Sequence, residues 1–337
     1  MKLLKQLINL NGVSGNEHDV REFIIKESKK YLKNIRVDNM GNVVAIKKGV
    51  RPRIMFLAHM DEIGLMVRTI DKYGKVSMST IGGIDPAVLL AQRVYIDGKK
   101  RVGGVITTDW ILNDSENAPK KLQIEDLYIY TGLAKRELEK KGVEIGNYIN
   151  FSEACNYCTL GSENIIGGKA LDDRMGCFVL LELMRTMKTK NEINFVFTVQ
   201  EEIGLYGAKA SIFGLEPDYA IAVDVSGHDD EKGRVLIGKG PTLTIKDAEM
   251  IGNKNLNEYL EKIAKKLKIP MQREVSDVGT TDATSIFAAR GGVPSSVLGV
   301  SVANVHTTTG VAHKKDIEGA VKILAQFLKN PPPIKMV

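Results

Sequence analysis

The sequence predicts an α/β fold: a mixed, mostly parallel sheet sandwiched by helices, with a small β-barrel inserted into it. Three observations on the 337 residues predict it. Short β-branched runs alternate with helical patterns before residue 62 and after residue 170, as parallel strands joined by crossover helices do. From about 63 to 162, closely spaced short strands with Gly and Asp turns take over, the texture of a small all-β unit. Four apolar runs end in metal-binding residue types: "RIMFLAHMD" in His59 and Asp61, "INFVFTVQEE" in Glu201 and Glu202, "YAIAVDVSG" in Asp224, and "PSSVLGVSVANVH" in His306. Open α/β sheets hold ligands beyond the carboxyl ends of their strands.

The elements follow in chain order. Leu3, Leu4, Leu7 and Ile8 fit one face of a first amphipathic helix, and Val20, Phe23, Ile24 and Tyr31 one face of a second. "NIRVDNMGNVVAIKKG" alternates like a strand pair broken by a turn at "NMGN". "RIMFLAHM" is a buried strand. "IGLMVRTIDKYGKVSMSTIGG", "AQRVYIDGKKRVGGVITT" and "YIYTGL" supply the barrel strands, with "AKRELEKKG" as a helix among them. Beyond 170, helices are expected in "DRMGCFVLLELMRTMK", "GLYGAKASIF", "NKNLNEYLEKIAKKLK", "TDATSIFAAR" and "KKDIEGAVKILAQFLKN". Strands are expected in "EINFVFTVQ", "DYAIAVDVS" and "PSSVLGVS", and the tail "PPPIKMV" is expected to be extended. The organisation is one α/β domain made of residues 1–62 and 163–337, interrupted by an all-β domain at 63–162.

Bulk properties narrow the function. Hydrophobic residues make up 43% and charged residues 26%, ordinary for a globular protein with a sizeable core. The formal charge of +6 is dispersed, so nothing marks a nucleic-acid interface. The basic stretches "KKGVRPR" and "DGKKR" are expected to be solvated turns. No apolar run reaches the ~18 residues of a membrane helix, and the N-terminus lacks the pattern of a signal peptide. A cytoplasmic setting, without membrane or nucleic-acid partners, is the expectation. Three cysteines argue against a disulfide framework. Cys155 and Cys158 form a lone "CNYC", expected to be small residues in a linker or strand end, and Cys177 is expected in the core.

The chemistry lies in the strand ends. His59 and Asp61 point the same way on an extended chain, so Asp61 can serve the imidazole as a hydrogen-bond acceptor. Glu201 and Glu202 are neighbours whose side chains diverge. That does not suit the facing pair of a glycosidase, and it suits one metal ligand beside one general base. In "GGKALDDRMG" either Asp172 or Asp173 can cap the following helix while the other ligates. Asp224 ends a buried strand, where an unpaired carboxylate is expensive. His313 lies in a polar segment and is expected to face solvent. Two imidazoles with several carboxylates and no thiolate suit Zn, Co or Mn in a catalytic rather than a structural site.

The strings "AHMDEIG", "GKALDDRMG", "VQEEIGLYGA", "AVDVS", "GTTDATSI" and the strand ending in "VH" occur in the order of the TET-type dinuclear metallo-aminopeptidases, which include glutamyl and deblocking aminopeptidases. The chain resembles that family over nearly its whole length. The resemblance implies two divalent metal ions, Zn or Co with Mn also suitable. It implies one metal on His59, Asp172 and Asp224, another on Asp172, Glu202 and His306, Glu201 as general base, and Asp61 orienting His59. It implies a cis peptide after Asp172, an inserted domain that makes dimers, and assembly of those dimers into a dodecamer. The chain departs from the family around the last ligand: Asn304 and Val305 precede His306, and Thr307, Thr308, Thr309 and Gly310 follow where the family has an acid. The expected function is hydrolysis of the N-terminal peptide bond of short peptides. The alternatives are a dinuclear amidase or deacylase acting on N-acylated small molecules, and a non-catalytic binding assembly of the same fold.

Overall fold

The computed structural model describes residues 1–110, 121–229 and 235–332, so the last five residues of the tail expected to be extended lie outside it. Two helices open the chain, α1 (Lys2–Ile8) and α2 (His18–Ser28), followed by β1 (Asn34–Val37), β2 (Val43–Lys47) and β3 (Val50–His59). Six barrel strands come next: β4 (Gly64–Ile70), β5 (Val76–Ile81), β6 (Arg93–Asp97), β7 (Arg101–Thr107), β8 (Tyr128–Tyr130) and, after α3 (Lys135–Lys140), β9 (Tyr148–Phe151). The chain returns through β10 (Cys158–Leu160) and β11 (Ser162–Gly168) to α4 (Leu171–Thr186), β12 (Asn191–Thr198), α5 (Tyr206–Ser211) and β13 (Tyr219–Gly227). It ends with β14 (Thr242–Lys246), α6 (Lys254–Leu267), β15 (Gln272–Val275), α7 (Asp282–Phe287), β16 (Ser295–Ala303), β17 (Gly310–His313) and α8 (Lys314–Lys329).

The large sheet is mixed and runs β1-β2-β12-β3-β13-β16-β17-β11-β10, with β14 and β15 branching from β16. Its four central strands, β12, β3, β13 and β16, are mutually parallel, and the strands on either side pair antiparallel. Alternation along β3 shows why this centre is a sandwich. Ile54, Phe56 and Ala58 join the core beneath α1, α2, α4, α6 and α8, while Met55 and Leu57 join the core beneath α5 and α7. Phe327 of α8 anchors the larger core, edge-on to Phe56, Tyr219 and Tyr259.

The inserted strands close a barrel in the order β4-β5-β8-β7-β6-β9. Every second residue faces its interior, which Leu65, Val67, Val76, Met78, Val94, Ile96, Ile106, Ile129 and Ile149 fill. Cys158–Leu160 pairs with β11 in the large sheet, so the chain has left the barrel before residue 162.

Several local expectations change. β3 begins inside the basic stretch expected to be a turn, because Arg51 pairs with Asp218 and Arg53 with Glu216. α2 ends at Ser28, and Tyr31 lies beyond it, exposed. The short strands β9, β10, β11, β14, β15 and β17 are additional to those expected. His313 is half-buried where β17 meets α8, and its Nδ1 accepts the N–H of Lys315. Among the described residues no helix is long and apolar enough to cross a membrane.

Replacing Phe327 with Ala removes the ring shared by three aromatic contacts and leaves a cavity. The expected loss of stability is about 3–5 kcal/mol, read by denaturant unfolding of both proteins.

Candidate metal centre

The four parallel central strands deliver their carboxyl ends to one place. His59 closes β3, Asp224 lies near the end of β13, Glu201 and Glu202 follow β12, and His306 follows β16. Asp172 arrives from the first turn of α4. Left-handed backbone at Ala170, Gln200 and His306 turns the chain just before or at these residues, a conformation that costs a non-glycine residue energy and recurs at functional sites.

Asp172 sits between the two imidazoles. Its Oδ1 is 2.9 Å from His59 Nε2 and its Oδ2 is 3.4 Å from His306 Nε2. His59 Nε2 also lies 4.0 Å from Asp224 Oδ1 and 4.0 Å from Glu201 Oε2. His306 Nε2 lies 3.1 Å from Glu202 Oε2. The two glutamates therefore lie toward different imidazoles; they diverge from a turn that begins at Gln200 rather than from opposite faces of a strand.

The "DD" pair resolves into two jobs. Asp173 accepts the N–H of Gly176 in its own helix and the N–H of His59, so both its oxygens are committed to backbone. Asp172, joined to it by a cis peptide, is left to the site. Donor atoms of His59, Asp172 and Glu202 come within 4.8 Å of one another, and so do those of His59, Asp173 and Asp224. The prior hydrogen bonds of Asp173 make it scaffold rather than ligand in the second group.

Asp61 is fully buried and ties the site together. Its Oδ1 accepts the N–H of Glu201 and lies 3.5 Å from His59 Nδ1; its Oδ2 accepts Ser14 Oγ and the N–H of Glu202. Burial opposes its charge, but these donors, His59 first, outweigh burial and hold its pKa down.

The donor set fits divalent cations. Burial pushes the carboxyls of Asp173, Glu201, Glu202 and Asp224 above their usual range, and the neighbouring acids add to it. Burial disfavours a charged His59, yet the surrounding carboxylates, Glu201 and Asp172 foremost, raise its pKa well above the ordinary value. Hydrogen bonding to the carboxylates of Asp172 and Glu202 pushes His306 up to about 11. A cluster that draws protons onto both its acids and its bases is short of positive charge, which divalent cations supply.

Three features lay inside quoted motifs without a role. Glu62 is buried between Lys169 Nζ (2.7 Å) and Arg174 Nη2 (3.3 Å). Arg174, fully buried, also donates to the carbonyls of Leu7, Leu10 and Met60, fastening α1 beneath the site. Asp282 is 2% exposed, accepts a short hydrogen bond from Thr198 Oγ1, and is pushed up to about 6 by burial. The signal for Asp282 was a single acid in a run of small residues at a helix start. Cys155 is buried, Cys158 opens β10 and Cys177 packs in the core; among the described residues none of them joins a metal-type donor group.

The family model of the M42 glutamyl aminopeptidases matches residues 41–323. The chain belongs to that family. A lysyl aminopeptidase of Pyrococcus furiosus is 33% identical over 99% of this chain and 98% of its own. The TET aminopeptidase structure from the marine sediment archaeon Thaumarchaeota archaeon SCGC AB-539-E09 superposes with a TM-score of 0.93 at 32% identity, covering 99% of this chain and 96% of that one. The Pyrococcus horikoshii TET1 peptidase, described as assembling into a tetrahedron or a large octahedral shell, superposes with a TM-score of 0.89 at 30% identity, over 98% and 99%. This M42 chain is thus a peptidase of the aminopeptidase type, a hydrolase, and its family implies divalent metals.

Protons and cations compete for the same imidazoles. Because the pKa of His306 is raised to about 11 without metal, it is protonated at neutral pH and must release that proton to ligate. Metal affinity should therefore rise with pH through the neutral range. Calorimetry in buffers of different ionisation enthalpy should show at least about one proton released per ion near pH 7.5; binding without proton release contradicts it.

Proposed function

We propose that this M42 chain removes the N-terminal residue of short peptides, using two divalent cations and Glu201 as general base. The observation that carries the reading is the division of Asp172, one oxygen toward each imidazole. His59, Asp172 and Asp224 would hold one ion, and Asp172, Glu202 and His306 the other, with Zn, Co or Mn suited to this donor set. When bound, such a pair lowers the pKa of a water and polarises a carbonyl.

The chain's own residues do the rest. Water adds to the scissile carbonyl carbon, and Glu201 takes the proton it loses. The C–N bond then breaks, and Glu201 passes that proton to the departing nitrogen. Burial keeps the Glu201 carboxyl well above its ordinary range, as suits a group that must hold a proton and give it up. Asp61 is a positioning residue: it fixes the backbone of both glutamates and faces His59 Nδ1.

The wider setting is part of the same proposal. The chain works in the cytoplasm as a homo-oligomer. The inserted barrel domain makes dimers, and the dimers form a dodecamer. Support comes from the related TET1 peptidase, which is described as assembling into a tetrahedron or a large octahedral shell. The names of the family and of its lysyl relative differ in side chain, so family membership leaves the preferred N-terminal residue open.

The Glu201→Gln variant keeps the carbonyl group and volume of the side chain but cannot take up the proton. It should retain metal while losing about 10²–10⁴-fold in kcat on aminoacyl-anilides. Turnover near the wild-type rate would mean that another group is the base. Comparing free-amine with acyl-blocked anilides tests the substrate class: hydrolysis confined to the blocked compounds would indicate a deacylase instead.

A further inference from the structure

The cavity over the metal centre holds about 700 Å³ and extends to a wall that the proposed chemistry does not use. β14 and β15 run side by side there, with Thr244 opposite Glu274. Glu274 and Asp247, three residues beyond Thr244, both line the cavity. Glu274 Oε2 accepts hydrogen bonds from Ser226 Oγ (2.8 Å) and Thr244 Oγ1 (2.9 Å). Those hydroxyls fix the carboxylate and neutralise none of its charge. Asp247 is 4% exposed; its Oδ1 accepts the N–H groups of Glu249 and Met250, and its Oδ2 has no hydrogen-bond partner among the described residues. A buried carboxylate oxygen left without a donor is costly. Among the described residues lining the cavity there is no Lys or Arg. Of the imidazoles there, His59 and His306 face the acids of the metal centre, and His228 Nδ1 accepts the N–H of Ile237.

We propose that this wall receives the side chain of the substrate's first residue, and that Glu274 and Asp247 make the enzyme selective for lysine or arginine at that position. The inference rests on the aminopeptidase reading and adds its specificity. Distance favours a long cationic side chain. Ser226, which holds Glu274, lies two residues along β13 from Asp224, roughly 6.6 Å at strand rise. A lysine ammonium stands roughly 6 Å from its own Cα. A substrate whose backbone lies beside Asp224 and Glu201 therefore reaches Glu274 with its side-chain nitrogen, not with its α-amine. A basic side chain gives the wall donors that none of the described lining residues supplies to both acids. An aliphatic one leaves the two acids without a cation among the described lining residues, and an acidic one sets like charges together.

The test compares lysyl-, arginyl-, leucyl- and glutamyl-anilides on metal-loaded wild type, Glu274→Gln and Asp247→Asn. Both variants keep a carbonyl oxygen for the existing hydrogen bonds. Wild type should prefer lysyl and arginyl substrates in kcat/KM. Each variant should lose about tenfold or more on those two, while leucyl-anilide, which also reports correct folding, holds or rises, because the variant no longer sets an unpaired charge against an aliphatic side chain. Wild-type preference for leucyl or glutamyl substrates would overturn the inference and leave the aminopeptidase reading standing. An equal loss on all four substrates would also overturn it, assigning the acids to the α-amine or to structure. If wild type turned over none of the four, the aminopeptidase reading would fall, and this inference with it.

Discussion

Mutual repulsion among carboxylates is the constraint around which the site is built. Asp172, Asp173, Glu201, Glu202 and Asp224 converge on two imidazoles in a place largely removed from water. In such surroundings unpaired charge is expensive, and Asp173, Glu201, Glu202 and Asp224 respond by drawing protons, while the two imidazoles hold Asp172 below its ordinary range. The protein compensates in two layers. Divalent cations suit the open side of the cluster. On the core side Arg174 and Lys169 bring two positive charges to the single acid Glu62. Removing one partner from a buried set of this kind strands the others, which makes Arg174 as much a part of the site as the candidate ligands.

The fold supplies the convergence through strand direction. Four adjacent parallel strands end at one edge, and each contributes one of the side chains or side-chain pairs that face the cavity. An antiparallel centre would send alternate strand ends to opposite edges. Antiparallel pairing is used outside that centre, where β17, β11 and β10 return the chain from the barrel to the sheet. The barrel interrupts the chain right after the first ligand strand, yet it closes on its own core of apolar side chains. That separation lets the large sheet form around a break in its sequence.

Legibility followed the physics of each signal. The central strands were legible because both their faces are buried, which makes their sequences continuously apolar; "RIMFLAHM" and "YAIAVDVS" are cases. Ligand-type residues stood out because a charge at the end of such a run is conspicuous. β14 and β15 were not legible: "TLTIK" and "QREV" are short and half polar, and pairing with each other and with β16 holds them as strands. Asp282 and Asp247 were missed for a related reason. Nothing in sequence distinguishes an acid buried by tertiary packing from one that merely starts a helix or a turn. His306 was legible as a candidate ligand from its place after a strand, and it lies beside Asp172 and Glu202, although the residues around it depart from the family pattern and its side chain is 38% exposed.

Three acidic doublets show how backbone geometry assigns roles that composition leaves open. In "DE", Asp61 binds the backbone of the glutamate turn while Glu62 faces Lys169 and Arg174. In "DD", Asp173 caps its own helix and holds the N–H of His59, which releases Asp172 to stand between the imidazoles. In "EE", the turn at Gln200 leaves both glutamates on the cavity, one toward each imidazole. In the first two doublets one acid is spent on support so that its neighbour, or the residue it holds, keeps a fixed position. In the third no acid is spent, because Asp61, just beyond β3, already supplies that support. Buried acids outside the candidate ligand set are therefore part of the site: they fix the backbone from which the candidate ligands reach the cavity, which flexible side chains alone would not maintain.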